Sequence, residues 1–306
     1  MAATLLRRAG GMVITILGAT LVIFLILHLT GDPTTLMLPD SATPQEIAAF
    51  RHAMGFDRPL AVQYLDFLSR MLRGDFGESL RYQQPALTVV LERVPATAEL
   101  MVSAILLTIA GSVPLAFYVA LKDTRTSRAV LRMVTVVGQG IPGFVLAILL
   151  IFAFSVALHL LPSSGNAVLP AGLVMPSIVL ASYAIPQLTR VLWTSLAQVL
   201  GSDYVRTARA KGLPPLLVYG KHAFRNALIP FLTLIGLQIG VLLGGSVVTE
   251  TVFAWPGMGQ LMVQAINNRD YPVVQAGVAV IVLTFLVVNA LVDASYVLVD
   301  PRLRRR

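Results

Sequence analysis

Long stretches of this 306-residue chain carry no charge, and the lengths of those stretches decide what it can fold into. Residues 9–31, 100–121, 133–189, 226–249 and 271–292 contain no Asp, Glu, Lys or Arg. A helix that crosses a bilayer needs about 20 consecutive apolar residues, so four of these runs have the length of one span. The run 133–189 is too long for one, and LPSSGN at 161–166 breaks it into roughly 133–160 and 168–189. The pattern predicts an all-α membrane protein with six transmembrane helices. Composition agrees, because 12% of residues are charged and 56% hydrophobic, against about 25% charged in a soluble domain. The first run exceeds a signal-peptide core and lacks a small-residue cleavage site, which predicts a retained first helix.

Basic residues fix the expected orientation. With a cytoplasmic N-terminus, 16 of the 23 Lys and Arg fall in inside segments and 7 outside. Acids run the other way. The chain then divides into a cytoplasmic start and first helix (1–30), an external segment (31–97), a core of the remaining helices (98–300) and a basic cytoplasmic tail (301–306). Both ends are expected in the cytoplasm, on one side of a membrane crossed several times. The external segment is amphipathic: IAAFRHAMGF and VQYLDFLSRML carry apolar residues at helical spacing. It can pack as short helices on the outer face or help receive an external protein. Residues 252–275 form the other external connection, where Trp255 and Tyr271 suit an interfacial belt.

Several functions are excluded. There is no cysteine, hence no disulfide, thiolate chemistry or Cys-based metal site. No HExxH, GxSxG or GxxxxGK[ST] occurs, which leaves no expected catalytic residue, metal site or nucleotide cofactor in the chain itself. The net charge is +8, but the basic residues are dispersed between apolar runs, which argues against nucleic acid and for a membrane-lipid environment. His28, His52, His159 and His222 are scattered. Asp293 is the only acid inside an expected span. Gln139, Gln187, Gln238 and Asn289 are polar without charge, so they can line a path for a neutral solute or join helices by hydrogen bonds. Gly236, Gly240 and Gly244 repeat every four residues on one helix face, a stripe that permits close helix packing. Gly138, Gly140, Pro142 and Gly143 make the third helix bendable, and Pro176 and Pro186 do so for the fourth.

The longest polar interruption in the second half is GSDYVRTARAKGLPPLLVYGKHAFRNALIP, residues 201–230. Arg206, Arg209, Lys211, Lys221 and Arg225 face one acid, Asp203. Ser202 or Asp203 can cap a helix start, Gly212 stands where a left-handed residue would end it, and Pro214 and Pro215 prevent continuation. A second helix of roughly 216–229 would lead back into the membrane. Two turns of helix are marginal alone and need a surface to dock on. The loop is therefore either a basic anchor for topology or a contact surface for another protein. Tyr204 and Ala208 would share one face, with Arg206 and Arg209 roughly opposite.

DYVRTARAKG followed by HAFRNALIP resembles the coupling loop of ABC-importer permeases, in the dipeptide/oligopeptide/nickel form. In the general pattern a Glu-Ala-Ala triplet precedes a Gly at a fixed interval. Gly212 and Ala208 match that Gly and the second Ala, while Arg206 and Thr207 replace the other two residues, as in the peptide branch. GDP at 31–33, GFDRPLAVQY at 55–64, RGDFGESL at 73–80, FAWPGMG at 253–259, NRDYPVVQ and the final DPRLRRR extend the resemblance over nearly the full length.

The resemblance implies a type I ABC-importer architecture with a cytoplasmic coupling helix. Asp203, Tyr204, Arg206, Thr207, Ala208, Arg209, Ala210, Lys211 and Gly212 would then couple the chain to an ATPase. It implies a second permease subunit, expected to be a different chain, two ABC ATPase domains that bind ATP and Mg, and an external solute-binding protein. The chain itself would not be an enzyme. The rival is a secondary carrier or channel in which the loop only fixes topology.

Overall fold

The computed structural model describes residues 2–30, 42–53, 55, 57–165, 170–215 and 217–299. The GDP motif at 31–33, Leu216 at the expected start of the second loop helix and the basic tail at 301–306 lie outside the described residues, as do the side chains of His28, Lys221, His222 and Asp293. The chain forms two compact units, Met1–Pro95 with Gly257–Leu286, and Ala96–Pro256 with Val287–Arg306.

In the first unit α1 (Ala2–Thr30) is followed by α2 (Pro44–Ala53) and α3 (Leu60–Met71). Two stretches of the segment 31–97 are thus helical, as their periodicity predicts, whereas 72–85 is turns and extended backbone with one bridge between Glu78 and Pro85. Thr43 and Glu46 cap α2 reciprocally: Thr43 N donates to Glu46 Oε2 at 2.8 Å and Glu46 N to Thr43 Oγ1 at 3.3 Å. The bond from the Thr43 backbone, aided by its hydroxyl, holds the Glu46 carboxyl below its usual pKa. The amphipathic α3 lies against α1 through Phe24, Tyr64 and Phe67, and Tyr64 donates its hydroxyl to the Leu17 carbonyl at 2.9 Å. A separate core joins α4 (Ala86–Leu91), α11 (Met258–Asn267) and α12 (Tyr271–Val299) through Val90, Leu261, Val273 and Ala276. Gly277 admits Met262 there, since a methyl group at 277 would strike the thioether sulfur.

The second unit is built around α8 (Ala171–Leu200), which packs against α10 (Arg225–Val252), α6 (Arg125–Gly140) and α7 (Gly143–Leu150). With α5 (Val94–Lys122) it makes one core from Ala116, Leu188, Leu192 and Phe231 and another from Leu100, Leu180, Leu242 and Trp255. Pro176 and Pro186 lie buried within α8, which continues through both. α7 passes directly into a π-helical turn, Ile151–Ala157, before the break expected at 161–166, which is non-helical over its described residues 161–165.

Among the described residues four helices are long and apolar enough to cross a membrane: Ala86–Lys122, Ala171–Leu200, Arg225–Val252 and Tyr271–Leu291. The apolar part of α1, Gly10–Ile26, is shorter. The expected single span at 133–160 is two helices, Arg125–Gly140 and Gly143–Ala157, bent by 97°. Counted as one span, the pair makes five. The bend has a local cause. Pro142 disfavours the α conformation in the residue before it, and Ile141 is extended at φ −98°, ψ 121°.

Candidate functional site

The loop 201–230 holds a short helix with both ends defined. α9 spans Asp203–Ala210 and begins at Ser202, whose backbone is extended at φ −76°, ψ 154°. The Ser202 side chain does not cap it; its hydroxyl donates backwards to the Val199 carbonyl at 2.5 Å. Asp203 instead occupies the first turn, where its charge complements the helix dipole. At the other end Gly212 has φ +71°. Gly212 N donates to Arg209 O at 3.0 Å and Leu213 N to Ala208 O at 3.3 Å, the paired bonds of a Schellman motif. A glycine was expected to stop this helix in a left-handed conformation, and it does.

The face that α9 turns inward differs from the expected one. Ala208 is expected to share a face with Tyr204, yet only Ala208 of the two is turned inward. It is only 7% exposed, and with the fully buried Val205 it packs on Val218 of the same chain. Positions 205 and 208 lie three apart on one helix side, and that side is apolar, so the helix docks first on its own protein. Tyr204 is 43% exposed, and its hydroxyl accepts from Asn226 Nδ2 at 2.7 Å. The Arg209 guanidinium lies over the Tyr219 ring, 5.7 Å from its centroid. Asp203, Arg206, Thr207, Ala210, Lys211 and Gly212 remain exposed. After Gly212 the chain enters a π-helical segment, Leu217–Phe224, where a simple helix was expected, and then continues into α10.

The polar residues of the spans are only partly gathered. Gln238 of α10 is buried and donates through Nε2 to Gln187 Oε1 of α8 at 2.9 Å. Beside them lies a small crevice lined by Ile105, Thr108, Leu188 and Ile235. Gln139 is exposed and Asn289 half-buried, and neither joins this pair. The glycine stripe of α10 is not a continuous seam within the chain. Gly236 is buried and Gly240 half-buried, but Gly244 is exposed, and a methyl group there would meet nothing within 4 Å. The tight helix approach is elsewhere, at Gly138, where a Cβ would collide with the Ser182 carbonyl oxygen and the Pro186 ring.

Two buried acids were not recognised as site residues in the sequence. Glu250 has no exposed surface and lies inside α10, although it ends the uncharged run at 249. It accepts from Thr97 Oγ1 at 2.9 Å, and nearby Trp255 Nε1 donates to the Ala96 carbonyl at 2.8 Å. In the first unit Asp270, 1% exposed, accepts from Ser79 Oγ at 2.5 Å and from Arg81 N at 3.4 Å. Asp270 and Ser79 belong to NRDYPVVQ and RGDFGESL, so these two separated motifs are one structural joint. The signal available was an acid placed at the edge of an apolar run.

A helical protein with several apolar spans and a short, polar-faced helix between two of them has the make-up of a membrane permease. The profile of the binding-protein-dependent transport system inner membrane component matches residues 112–305, and that of the corresponding N-terminal domain matches residues 1–101. The glutathione transport system permease protein GsiC of Salmonella typhimurium is 37% identical over 300 residues, covering 98% of each chain. The dipeptide transport system permease protein DppB of Escherichia coli K12 is 34% identical over 336 residues, covering 99% of this chain and 98% of that one. The inward-facing MetNI methionine ABC transporter shares the fold, with a TM-score of 0.57 at 20% identity over 69% of this chain and 96% of that one. The chain belongs to the family of binding-protein-dependent ABC-importer permeases, in the branch that holds peptide permeases, and is a multi-pass inner-membrane protein.

Proposed function

We infer that this chain is one of two membrane subunits of an importer for short peptides or a related small solute. α1, the bent pair at 125–157 and the four long apolar helices would make six spans, with both termini and the loop 201–230 in the cytoplasm. The excess of basic residues on that side supports the orientation. The second membrane subunit is a different chain, two ATPase domains supply the energy, and an external binding protein delivers the solute. Neither ATP nor Mg binds this chain.

The observation that carries the reading is α9. It is anchored on its own protein by Val205 and Ala208, closed by Gly212, and exposed at Asp203, Arg206, Thr207, Ala210 and Lys211. A rigidly held helix can transmit a displacement, whereas a flexible loop would absorb it. ATP-driven closure of the ATPases would move α9, and the spans would reorient from outward- to inward-open. Such coupling requires α9 to be bound differently in the two states. Gln139 and Asn289 are proposed to face the path, and the Gln187–Gln238 pair to hold α8 to α10.

Reconstitution of the chain with its ATPases, second permease and binding protein tests this. Uptake of short peptides should require ATP and every component. Uptake by the chain alone, driven by a proton or sodium gradient, would refute the reading.

A further inference from the structure

Arg132 and Arg190 are the two charges that bracket the uncharged run 133–189. The fold brings them to one groove between α6 and α8. The helices touch where Gly138 meets Ser182 and Pro186. Arg132 lies six residues before Gly138, and Arg190 four beyond Pro186 on the other helix. At 1.5 Å per residue both stand roughly 6–9 Å from that contact. The groove they border, about 630 Å³, is also lined by Arg125, Arg128, Thr135 and Trp193. Arg128 is paired with Asp123 at 3.0 Å, whereas Arg125, Arg132 and Arg190 have no acidic partner among the described residues. Along α6 the surface then turns apolar, with Met133, Val136 and Val137 exposed at 67%, 65% and 50%.

Three uncompensated guanidinium groups beside an indole, at the end of an apolar surface, match one ligand chemistry. Guanidinium binds phosphate oxygens through paired hydrogen bonds. Trp favours the depth of lipid headgroups, and basic pockets between spanning helices hold anionic headgroups. We propose that this groove is a binding site for an anionic phospholipid, its phosphate held by Arg125, Arg132 and Arg190 and its acyl chains lying along Met133 and Val136. The proposal rests on the membrane placement of the run 133–189 and is independent of the solute carried.

The test counts lipids retained by the purified full-length chain, with the subunits that accompany it, after transfer from phosphatidylcholine nanodiscs doped with phosphatidylglycerol or cardiolipin. Native mass spectrometry should find anionic lipid on the wild type. Retention should fall roughly thirtyfold in Arg132→Gln/Arg190→Gln, from a factor of about five per basic residue at the surface. The Arg132→Lys/Arg190→Lys protein should retain an intermediate amount, and Arg70→Gln/Arg73→Gln the wild-type amount. Equal retention by the wild type and the double Gln variant would overturn the proposal. So would a double Gln variant that keeps its lipid but loses an ATPase, since the groove would then serve a protein. Because lipid is counted without transport, failed ATP-driven uptake would leave this result standing.

Discussion

Ser79 and Asp270, 191 residues apart, meet inside the first unit with the serine hydroxyl donating to the carboxylate at 2.5 Å. Asp270 also begins α12, its other oxygen lying 3.5 Å from Val273 N. Asp270→Ala would leave Ser79 Oγ without its carboxylate partner in a buried site, at a cost of about 1–3 kcal/mol. Thermal unfolding of purified Asp270→Ala should occur at a lower temperature than that of the wild type. Ser79→Ala should cost less, and the double variant little more than Asp270→Ala alone. Additive losses would show that the two side chains do not interact.

Gly138 and Gly244 separate glycine needed for contact from glycine that is incidental within this chain. Gly138→Ala drives a methyl group into the Ser182 carbonyl and Pro186. Backbone cannot yield as a side chain does, so about 1–3 kcal/mol or more should be lost. Gly244→Ala enters open space and should raise helix stability by up to about 1 kcal/mol. Comparing the unfolding temperatures of the two purified variants checks this, and an equal effect would contradict the packing described.

The Gln187–Gln238 bond joins α8 to α10 within an apolar surround. Gln238→Leu alone strands the Gln187 amide, whereas replacing both with Leu restores an apolar match. A double-mutant cycle on unfolding should give a coupling of about 0.6 kcal/mol, with ~1.7 as an upper bound for such bonds. If the pair instead contacts solute, both single variants should raise KM for uptake while leaving stability unchanged.

Orientation can be read with single cysteines, because the native chain has none. Ser164, Thr126 and Ala210 are all exposed. Ser127 is unsuitable, being fully buried in the capping box that starts α6. In intact spheroplasts an impermeant thiol reagent should label Ser164→Cys and spare Thr126→Cys and Ala210→Cys. Labelling at 126 or 210 would reverse the topology.

Features that depend on neighbours in the chain were legible. Uncharged runs located the long helices, and the Gly-Leu-Pro-Pro order located the end of α9 together with its left-handed Gly212. Features that depend on partners in space were not. Helical spacing put Ala208 on a face with Tyr204, but could not tell that Ala208 instead joins Val205 against Val218 while Tyr204 stays exposed. The Gly-Pro cluster at 138–143 announced flexibility. The 97° bend itself sits at extended Ile141 before Pro142, while the contact of Gly138 with Ser182 and Pro186 depends on a partner helix that the cluster does not name. Glu250 ends an uncharged run, and nothing in that pattern shows that it is buried within α10 and accepts from Thr97 of another helix.

Gly212 should tolerate only residues that accept positive φ. Gly212→Asn should transport nearly as the wild type. Gly212→Val forces a β-branched residue into the left-handed region, at about 1–2 kcal/mol or more, and should misplace α9. Ala208→Glu should fail for a different reason, by burying a charge against Val218. Both failing variants should reach the membrane at normal levels and lose solute-dependent ATP hydrolysis. Normal transport by both would make the loop a topological anchor only.

The central claim, that the outer face of α9 meets an ATPase, is tested most directly by cross-linking from Ala210. This residue is exposed on α9, and its Cys variant can carry a short thiol-linked photoreactive group with no background from native cysteines. In the assembled complex, illumination should join Ala210→Cys to an ATPase subunit, with a yield that changes when ATP is added, while the same group at Ser164→Cys should join none. An assembled, transport-competent complex in which the group at 210 captures no ATPase would contradict the account.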